Sequence, residues 1–78
     1  MNKHRSLSEL LPGRRATVTY INSAGDMRRR FMDIGLIAGT EVECVGRSPG
    51  GDPSAYLIRG AVIAIRSADA KDIQVLMQ

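Results

Sequence analysis

The segment GDMRRRFMDIGLIAGTEVE, residues 25–43, combines a basic, helix-like stretch with two glycines that end it and turn the chain. Apolar residues at helical spacing share one face of this stretch: Ala24, Met27, Phe31 and Ile34. Ser23 or Asp26 is a candidate N-terminal cap, because short polar side chains accept hydrogen bonds from the free N–H groups of a first turn. The spacing predicts a short amphipathic helix that packs one face on a core.

Gly35 and Gly39 predict where this helix ends and where the chain then turns. Gly35 follows the last apolar residue of the face, at a position where left-handed backbone costs glycine nothing. Leu36 would then lie just beyond the cap, against Phe31 in the last helical turn. Gly39 would supply a second positive φ in a tight turn. We therefore expect Phe31, Gly35, Leu36 and Gly39 to be structural residues.

Alternating apolar residues predict strands on both sides of the helix. RRATVTYI, residues 14–21, would place Ala16, Val18 and Tyr20 on one face. EVECVGR, residues 41–47, would place Val42 and Cys44 on one face, so Cys44 is predicted to be a core residue.

Three more strands follow towards the C-terminus. AYLIRGAVIAIRS, residues 55–67, predicts two strands joined at Arg59 and Gly60, since a tight hairpin turn accepts a residue followed by glycine. SADAKD, residues 67–72, predicts a short turn, and IQVLM, residues 73–77, predicts a last strand.

The order of these elements predicts a mainly β fold with short helices. Five short strands with one helix inserted after the first favour a small SH3-like barrel, because curvature and closure hide the edges of so few strands. Ser6 and Glu9 have capping-box spacing and predict one short helical turn that covers the core. No repeat or linker interrupts the pattern, so we expect residues 1–78 to form a single domain.

The net charge of +3 is unevenly distributed along the chain. The first thirty residues contain seven Lys and Arg against two acidic residues, whereas the remainder contains four against six. Such asymmetry predicts one basic face that could attract an acidic protein, nucleic acid or an anionic membrane surface. Only three residues are aromatic, which argues against single-stranded nucleic acid, since its binders usually stack bases on several rings.

The composition also excludes several chemistries. Cys44 and His4 are the only cysteine and histidine, so one chain can build neither a disulfide framework nor a zinc cluster. The carboxylates follow no metal-binding spacing, and we expect any metal on His4 to bind weakly. No pattern in the sequence pairs Cys44 or a serine with a base that could activate it, so we predict no catalytic site and no cofactor. Without a long apolar run or a signal-peptide pattern, we expect a cytoplasmic protein that does not insert into membranes.

SPGGDPS, residues 48–54, is a loop by composition. Its glycines could present backbone N–H groups to a phosphate, but the P-loop pattern and the helix that follows it are missing. We therefore predict a loop that connects two strands and whose exposed tip can contact a partner.

The three consecutive arginines have three interpretations. Arg28 and Arg29 would point away from the apolar face, whereas Arg30 flanks it and is expected to be the more structural of the three. A solvated helix face is the simplest interpretation. Docking of an acidic partner is the second, since the guanidinium group pairs bidentately with carboxylates. Binding of nucleic acid is the third, although one short helix offers few phosphate contacts.

The joint pattern of these motifs resembles the FeoA family along nearly the whole chain. The segments that carry it are LSELLPGRRATV, MRRRFMDIGLIAGTEVE and RSPGGDPSAYLIRGAVIAIRSADAKDIQV. Phe31 departs from the leucine usual in the family, Ala38 from a proline, and Gly50 varies the loop.

The resemblance implies a non-enzymatic accessory of FeoB, the membrane ferrous iron transporter with a cytoplasmic GTPase domain. We expect docking through the basic helix and the neighbouring loop, with Arg28, Arg29 and Asp52 as contacts. Two alternatives remain open: a small-barrel nucleic-acid-binding protein, and a detached SH3-like module of the kind found in iron-dependent repressors. An exposed strand edge could also pair weakly with a second copy of the chain.

Overall fold

The structure, a computed structural model, describes residues 4–78, which form six antiparallel strands and two α-helices. In chain order the elements are β1 His4–Ser6, a 3₁₀ helix Leu7–Glu9, β2 Arg15–Ile21, α1 Gly25–Asp33, β3 Glu41–Arg47, β4 Ser54–Ile58, β5 Ala61–Ile65, α2 Ser67–Ala70 and β6 Ile73–Met77. They pair in the order β1-β6-β2-β3-β4-β5. The predicted mainly β fold with one helix after the first long strand is confirmed, and β1 is an additional strand.

The predicted helical turn before β2 is present as the 3₁₀ helix. The Ser6 backbone N–H donates to the Glu9 carboxylate at 3.1 Å, as expected for a capping box. Leu7 and Leu10 are buried beneath it and cover one end of the core. The Tyr56 hydroxyl donates to the Leu7 carbonyl at 3.3 Å, and burial raises the pKa of that hydroxyl.

The core is formed mainly by side chains of the strands, and the helices add a few more. Fully buried side chains come from the 3₁₀ helix, from the strands and from the turn after α1, and Cys44 is among them as predicted. The largest are Tyr56, Leu7, Leu10, Leu36, Ile58 and Ile73. Phe31 is 5% exposed and is the buried residue of α1. Phe31 and Cys44 are therefore both buried, and their structural roles stay a prediction.

A bulge in β2 changes which side of the sheet its last residues face. The register between β2 and β6 shifts between Val18 and Tyr20. An extra residue in one strand reverses the inward and outward alternation beyond it. Tyr20 is therefore 58% exposed and Ile21 is buried, so the prediction that Tyr20 shares the inner face with Val18 is wrong.

The end of α1 has the geometry that its glycine predicts. Gly35 has φ +95°, the Gly35 N–H donates to the Met32 carbonyl at 3.0 Å, and the Leu36 N–H donates to the Phe31 carbonyl at 2.9 Å. These two bonds define a Schellman motif, and Leu36 is fully buried. Gly39 has φ +93°, as expected for the following turn.

The start of α1 differs from the prediction. Ala24 is the N-cap residue, is exposed, and makes no side-chain cap. The Ser23 hydroxyl is buried without a hydrogen-bond partner in residues 4–78, so it does not cap the helix. Asp26 lies in the first turn, where the helix dipole favours a carboxylate.

The C-terminal half contains the predicted hairpin and one unpredicted helix. Arg59 and Gly60 have φ values of 50° and 87°, which are those of a two-residue primed turn. The segment after β5, predicted as a turn, begins with helix α2. The Asp52 carboxylate accepts from the Ser67 backbone N–H at 2.8 Å and from the Ser67 hydroxyl at 3.3 Å. This contact joins the loop before β4 to the start of α2.

Candidate protein-docking site

An exposed apolar patch lies beside α1 on the side of β2. Tyr20, Met32 and Ile37 are 58%, 47% and 43% exposed, and with Arg28 they line one shallow groove of about 110 Å³. We call these four residues the β2-side patch. Arg28 and Met32 are four residues apart on α1 and therefore lie on one helix face. The patch places three large apolar side chains next to a cation.

Arg28 is held in place by the backbone of the neighbouring strand. Its Nη1 donates to the Ile21 carbonyl at 2.9 Å. A guanidinium has five N–H donors, so this bond fixes its position and leaves donors for a carboxylate. Because Ile21 ends β2, the bond also ties the first turns of α1 to the sheet. Arg28 therefore has a structural role that the sequence did not predict.

Arg29 and Arg30 differ from Arg28 and from each other. Both are exposed, and neither side chain makes a hydrogen bond or an ion pair with any residue in 4–78. Arg29 lies next to Arg28, whereas Arg30 lines a second groove between α1 and β5. The prediction that Arg30 is the structural arginine is wrong, because it is Arg28 that contacts the sheet.

Asp52, the predicted contact in the loop, lies apart from the β2-side patch. It does not line the groove that holds Tyr20 and Arg28. Its carboxylate is occupied by Ser67, although the residue itself is exposed. The structure therefore gives Asp52 a role in positioning α2, and its role in partner binding stays a prediction.

The residues that could bind a metal or act as a nucleophile are dispersed or buried in the part of the chain that the structure describes. No group of three or more His, Cys, Asp or Glu side chains converges there. Cys44 is buried, and its thiol contacts the Gly46 carbonyl at 3.7 Å. Within residues 4–78, neither helix has the length or apolarity required to span a bilayer.

The sequence did not reveal the apolar half of the site. The alternation in β2 predicts that Tyr20 lies on the inner face. The bulge that turns Tyr20 outwards cannot be recognised from the neighbouring residues. Met32 lies off the apolar face of α1 and Ile37 lies in the turn after the helix, and neither position is unusual when taken singly. Folding brings them together with Arg28 because the turn after α1 returns to β2. The Val18 N–H donates to the Thr40 carbonyl at 2.8 Å, and the Gly39 N–H donates to the Val18 carbonyl at 2.8 Å.

Comparison with known proteins shows that this chain is similar to ferrous iron transport proteins. A fusion of Fe(2+) transport protein A with the Fe(2+) transporter FeoB from Porphyromonas gingivalis is 32% identical over 69 residues, which is 88% of this chain. The matched region is 8% of that relative's length. Solved structures agree with the fold. FeoA from Chlorobium tepidum superimposes with a TM-score of 0.87 at 36% identity, covering 92% of this chain and 69% of that one.

A second structure supports the SH3-like description. FeoA from Stenotrophomonas maltophilia, solved with zinc and described as an SH3 domain protein, gives a TM-score of 0.81 at 30% identity, covering 90% of this chain and 87% of that one. A manganese-dependent transcriptional repressor gives a TM-score of 0.87 at 24% identity, covering 43% of its chain. At that identity the repressor shows a shared fold only.

The family model of the FeoA domain matches residues 5–77. The match includes α1, the turn at Gly35 and Gly39, and the five strands of the predicted barrel. The chain therefore belongs to the FeoA domain family of ferrous iron transport.

Proposed function

We propose that this protein is a non-enzymatic accessory of ferrous iron uptake that docks on the cytoplasmic part of a FeoB-type transporter. The FeoA family supports the link to iron uptake. The fusion relative supports the choice of partner, because it joins a homologous domain to FeoB in one polypeptide. A covalent link raises the effective concentration of two modules for each other, which is useful when they bind each other weakly.

The β2-side patch carries the proposal for where docking occurs. Tyrosine, methionine and arginine are enriched in protein interfaces, and this patch contains all three. Tyr20 offers a large rigid surface, and Arg28 is already fixed by its bond to Ile21, so little side-chain entropy is lost on binding. The interpretation of α1 as a merely solvated face does not account for the exposed apolar residues beside Arg28.

The charges next to the patch specify the partner's chemistry. Arg29 extends the positive charge of Arg28 along α1 and has no acidic partner in residues 4–78. The complementary surface should therefore be acidic, with an apolar centre that covers Tyr20 and Met32. Such complementarity speeds encounter and sets orientation. We assign Asp52 to the periphery of the contact, because its carboxylate already binds Ser67.

Isothermal titration calorimetry with the isolated cytoplasmic GTPase domain of FeoB tests the proposal. The titration is run without nucleotide, with GDP and with a slowly hydrolysed GTP analogue, to show whether nucleotide state controls docking. We expect binding in at least one state, with a dissociation constant on the order of micromolar, as is typical of transient contacts. Absence of binding in all three states would contradict the proposal.

An oligonucleotide titration of the same protein tests the nucleic-acid alternative. Counterion release makes such binding weaken steeply with salt. We expect no binding to single-stranded or duplex DNA at physiological salt. Salt-dependent binding to DNA together with no binding to the GTPase domain would replace the docking proposal with the alternative.

A further inference from the structure

We propose that the free edge of β5 binds an extended acidic segment of a partner protein, which adds to the sheet as a further strand beside α1. The site uses the side of α1 opposite the β2-side patch. The inference therefore does not rest on the docking function proposed above, and each can fail without the other.

The β5 backbone is available along one side. Within residues 4–78, β5 pairs with β4 and lies at the end of the sheet. Ile58 and Ala61 flank the two-residue turn and form the first hydrogen-bonded pair, so backbone bonds to β4 fall at every second residue from Ala61. The N–H and C=O groups of Val62 and Ala64 therefore point away from β4. No backbone bond from these groups to another loop or turn is present in residues 4–78.

This edge lacks the charges, proline and bulge that commonly protect an edge strand against strand addition. Natural edge strands are commonly short, charged, bulged or interrupted by proline. The β5 sequence AVIAI contains no charge and no proline, its register with β4 is regular, and Val62 is 64% exposed. The opposite edge, β1, is only three residues long and includes His4 and Arg5. An open, apolar edge on a small soluble domain indicates a binding function.

A groove between β5 and α1 provides space for the side chains of an added strand. It has a volume of about 440 Å³. Its apolar lining comes from both elements: Met27, Phe31, Ile34, Ile63, Ala64 and Ile65. In strand addition the backbone bonds provide affinity, and pockets for alternate side chains provide specificity. Every second residue of the added strand would point into this groove, and we expect most of those residues to be apolar.

The charges around the groove favour an acidic occupant. Arg30 and Arg66 both line it, against the single carboxylate of Asp69. Neither arginine makes an ion pair with a residue in 4–78. A second copy of the chain would bring a second pair of arginines to the same edge, and like charges across an interface are unfavourable. We therefore commit to a partner segment that carries a carboxylate among its groove-facing apolar residues.

The probe is the acetylated and amidated peptide Val-Thr-Glu-Thr-Val, whose two valines and one glutamate share a face, titrated to its solubility limit into ¹⁵N-labelled protein. We expect the largest amide shifts at Val62 and Ala64, together with slower hydrogen exchange of both amides. The same peptide with lysine in place of glutamate should bind about tenfold or more weakly, because attraction becomes repulsion. Absence of shifts at Val62 and Ala64, or equal binding of the two peptides, would overturn the proposal.

Methylating the peptide backbone tests strand addition directly. Alternate N–H groups of an added strand point at β5, so two peptides methylated at alternate positions should differ about tenfold in affinity. Equal binding of the two isomers would overturn the proposal. Shifts of Val62 and Ala64 that depend on protein concentration without peptide would identify a second copy as the occupant, and would also overturn it.

A pair of arginine variants on the same helix tests the charge argument. Arg30→Glu should weaken binding of the glutamate peptide about tenfold, since its side chain lines the groove. Arg29→Glu, with the same change of charge one residue away, should leave that binding within about twofold. Equal loss in both variants would show general attraction to a basic helix and would overturn the assignment of the groove.

Discussion

The two sides of α1 present different kinds of binding surface. Towards β2, the groove is small, about 110 Å³, and its apolar side chains stand beside an arginine that is bonded to the strand. Towards β5, the groove is larger, about 440 Å³, and its arginines have no ion-pair partners in residues 4–78. The strands themselves differ, since within residues 4–78 β2 pairs with β3 and β6 whereas β5 pairs with β4 alone.

This difference determines how each side can bind. At the β2-side patch, β2 pairs with β6 and the Ile21 carbonyl accepts from Arg28, so we expect this patch to bind through its side chains. The backbone of β5 is open on one side and can add hydrogen bonds to a partner. One short helix therefore separates a side-chain surface from a strand-addition surface. Phe31 is the buried residue of α1, and we call it the helix anchor. Replacing it should affect both surfaces, whereas replacing a single arginine should affect only the surface on which that arginine lies.

Phe31→Ala should have the largest effect, because Phe31 holds both sides of α1 to the sheet. We expect a loss of about 3–5 kcal/mol of unfolding free energy, from lost transfer energy and the cavity that remains. In so small a domain this loss can be comparable to the total stability. Chemical denaturation measures it, with Met32→Ala on the exposed face as a control that should change little. An unchanged midpoint for Phe31→Ala would show that the helix anchor lies elsewhere.

Gly35→Val should have the next largest effect, since it acts on the turn that follows the helix. Gly35 has φ +95°, which a β-branched residue strongly disfavours, and an added Cβ would overlap the Arg59 side chain. Arg59 is flexible and can move, so we expect the backbone strain to dominate, at about 1–3 kcal/mol. Gly50→Val, where φ is not positive and the space is open, is the matched control. Equal stability of the two variants would refute this account of the Schellman turn.

Asp52→Ala should have a smaller effect that is confined to the β5 side. It removes the acceptor of the Ser67 N–H, and loss of a helix-capping acceptor costs about 0.5–2 kcal/mol. Asp52→Asn retains one oxygen acceptor and should lose less. In NMR spectra the shifts should concentrate at α2 and β5 and spare Tyr20. Full stability of the alanine variant would show that the carboxylate contributes nothing to holding α2.

The sequence predicted the elements whose signals are local. The helix stop at Gly35, the turn at Gly39, the hairpin at Arg59 and Gly60, and the burial of Cys44 each follow from a few neighbouring residues, and each is confirmed. The motifs that suggested the FeoA family also correspond to the observed family match. These features depend on backbone geometry and hydrophobic period, which a single sequence records directly.

The features that the sequence did not predict depend on contacts between distant segments. The bulge that exposes Tyr20 arises in pairing with β6, more than fifty residues away. The bond from Asp52 to Ser67 spans fifteen residues. Helical phase placed Arg30 beside the apolar face correctly, but could not show that Arg28 reaches the carbonyl of Ile21. The sequence therefore predicted the arginines of the candidate site. It did not predict the exposed apolar residues beside them.

Arg29→Glu should change the fold least, and it tests docking through the β2 side of α1. Arg29 is exposed, and its side chain makes no hydrogen bond or ion pair with residues 4–78, so we expect stability within about 0.5 kcal/mol of the wild type. Arg28 is less suitable, because replacing it also removes the bond to Ile21. Arg14→Glu is the matched control, since it reverses the same charge. Arg14 lies beside Leu11 and Met77, away from α1.

Calorimetry of these two variants against the cytoplasmic GTPase domain of FeoB is the most direct test of the central claim. The account predicts that Arg29→Glu weakens binding by about tenfold or more, because reversal places like charges opposite each other in the interface. It predicts that Arg14→Glu binds within about twofold of the wild type, since a distant exposed charge is largely screened. Wild-type affinity for Arg29→Glu, or equal loss in both variants, would contradict docking through this face of the helix.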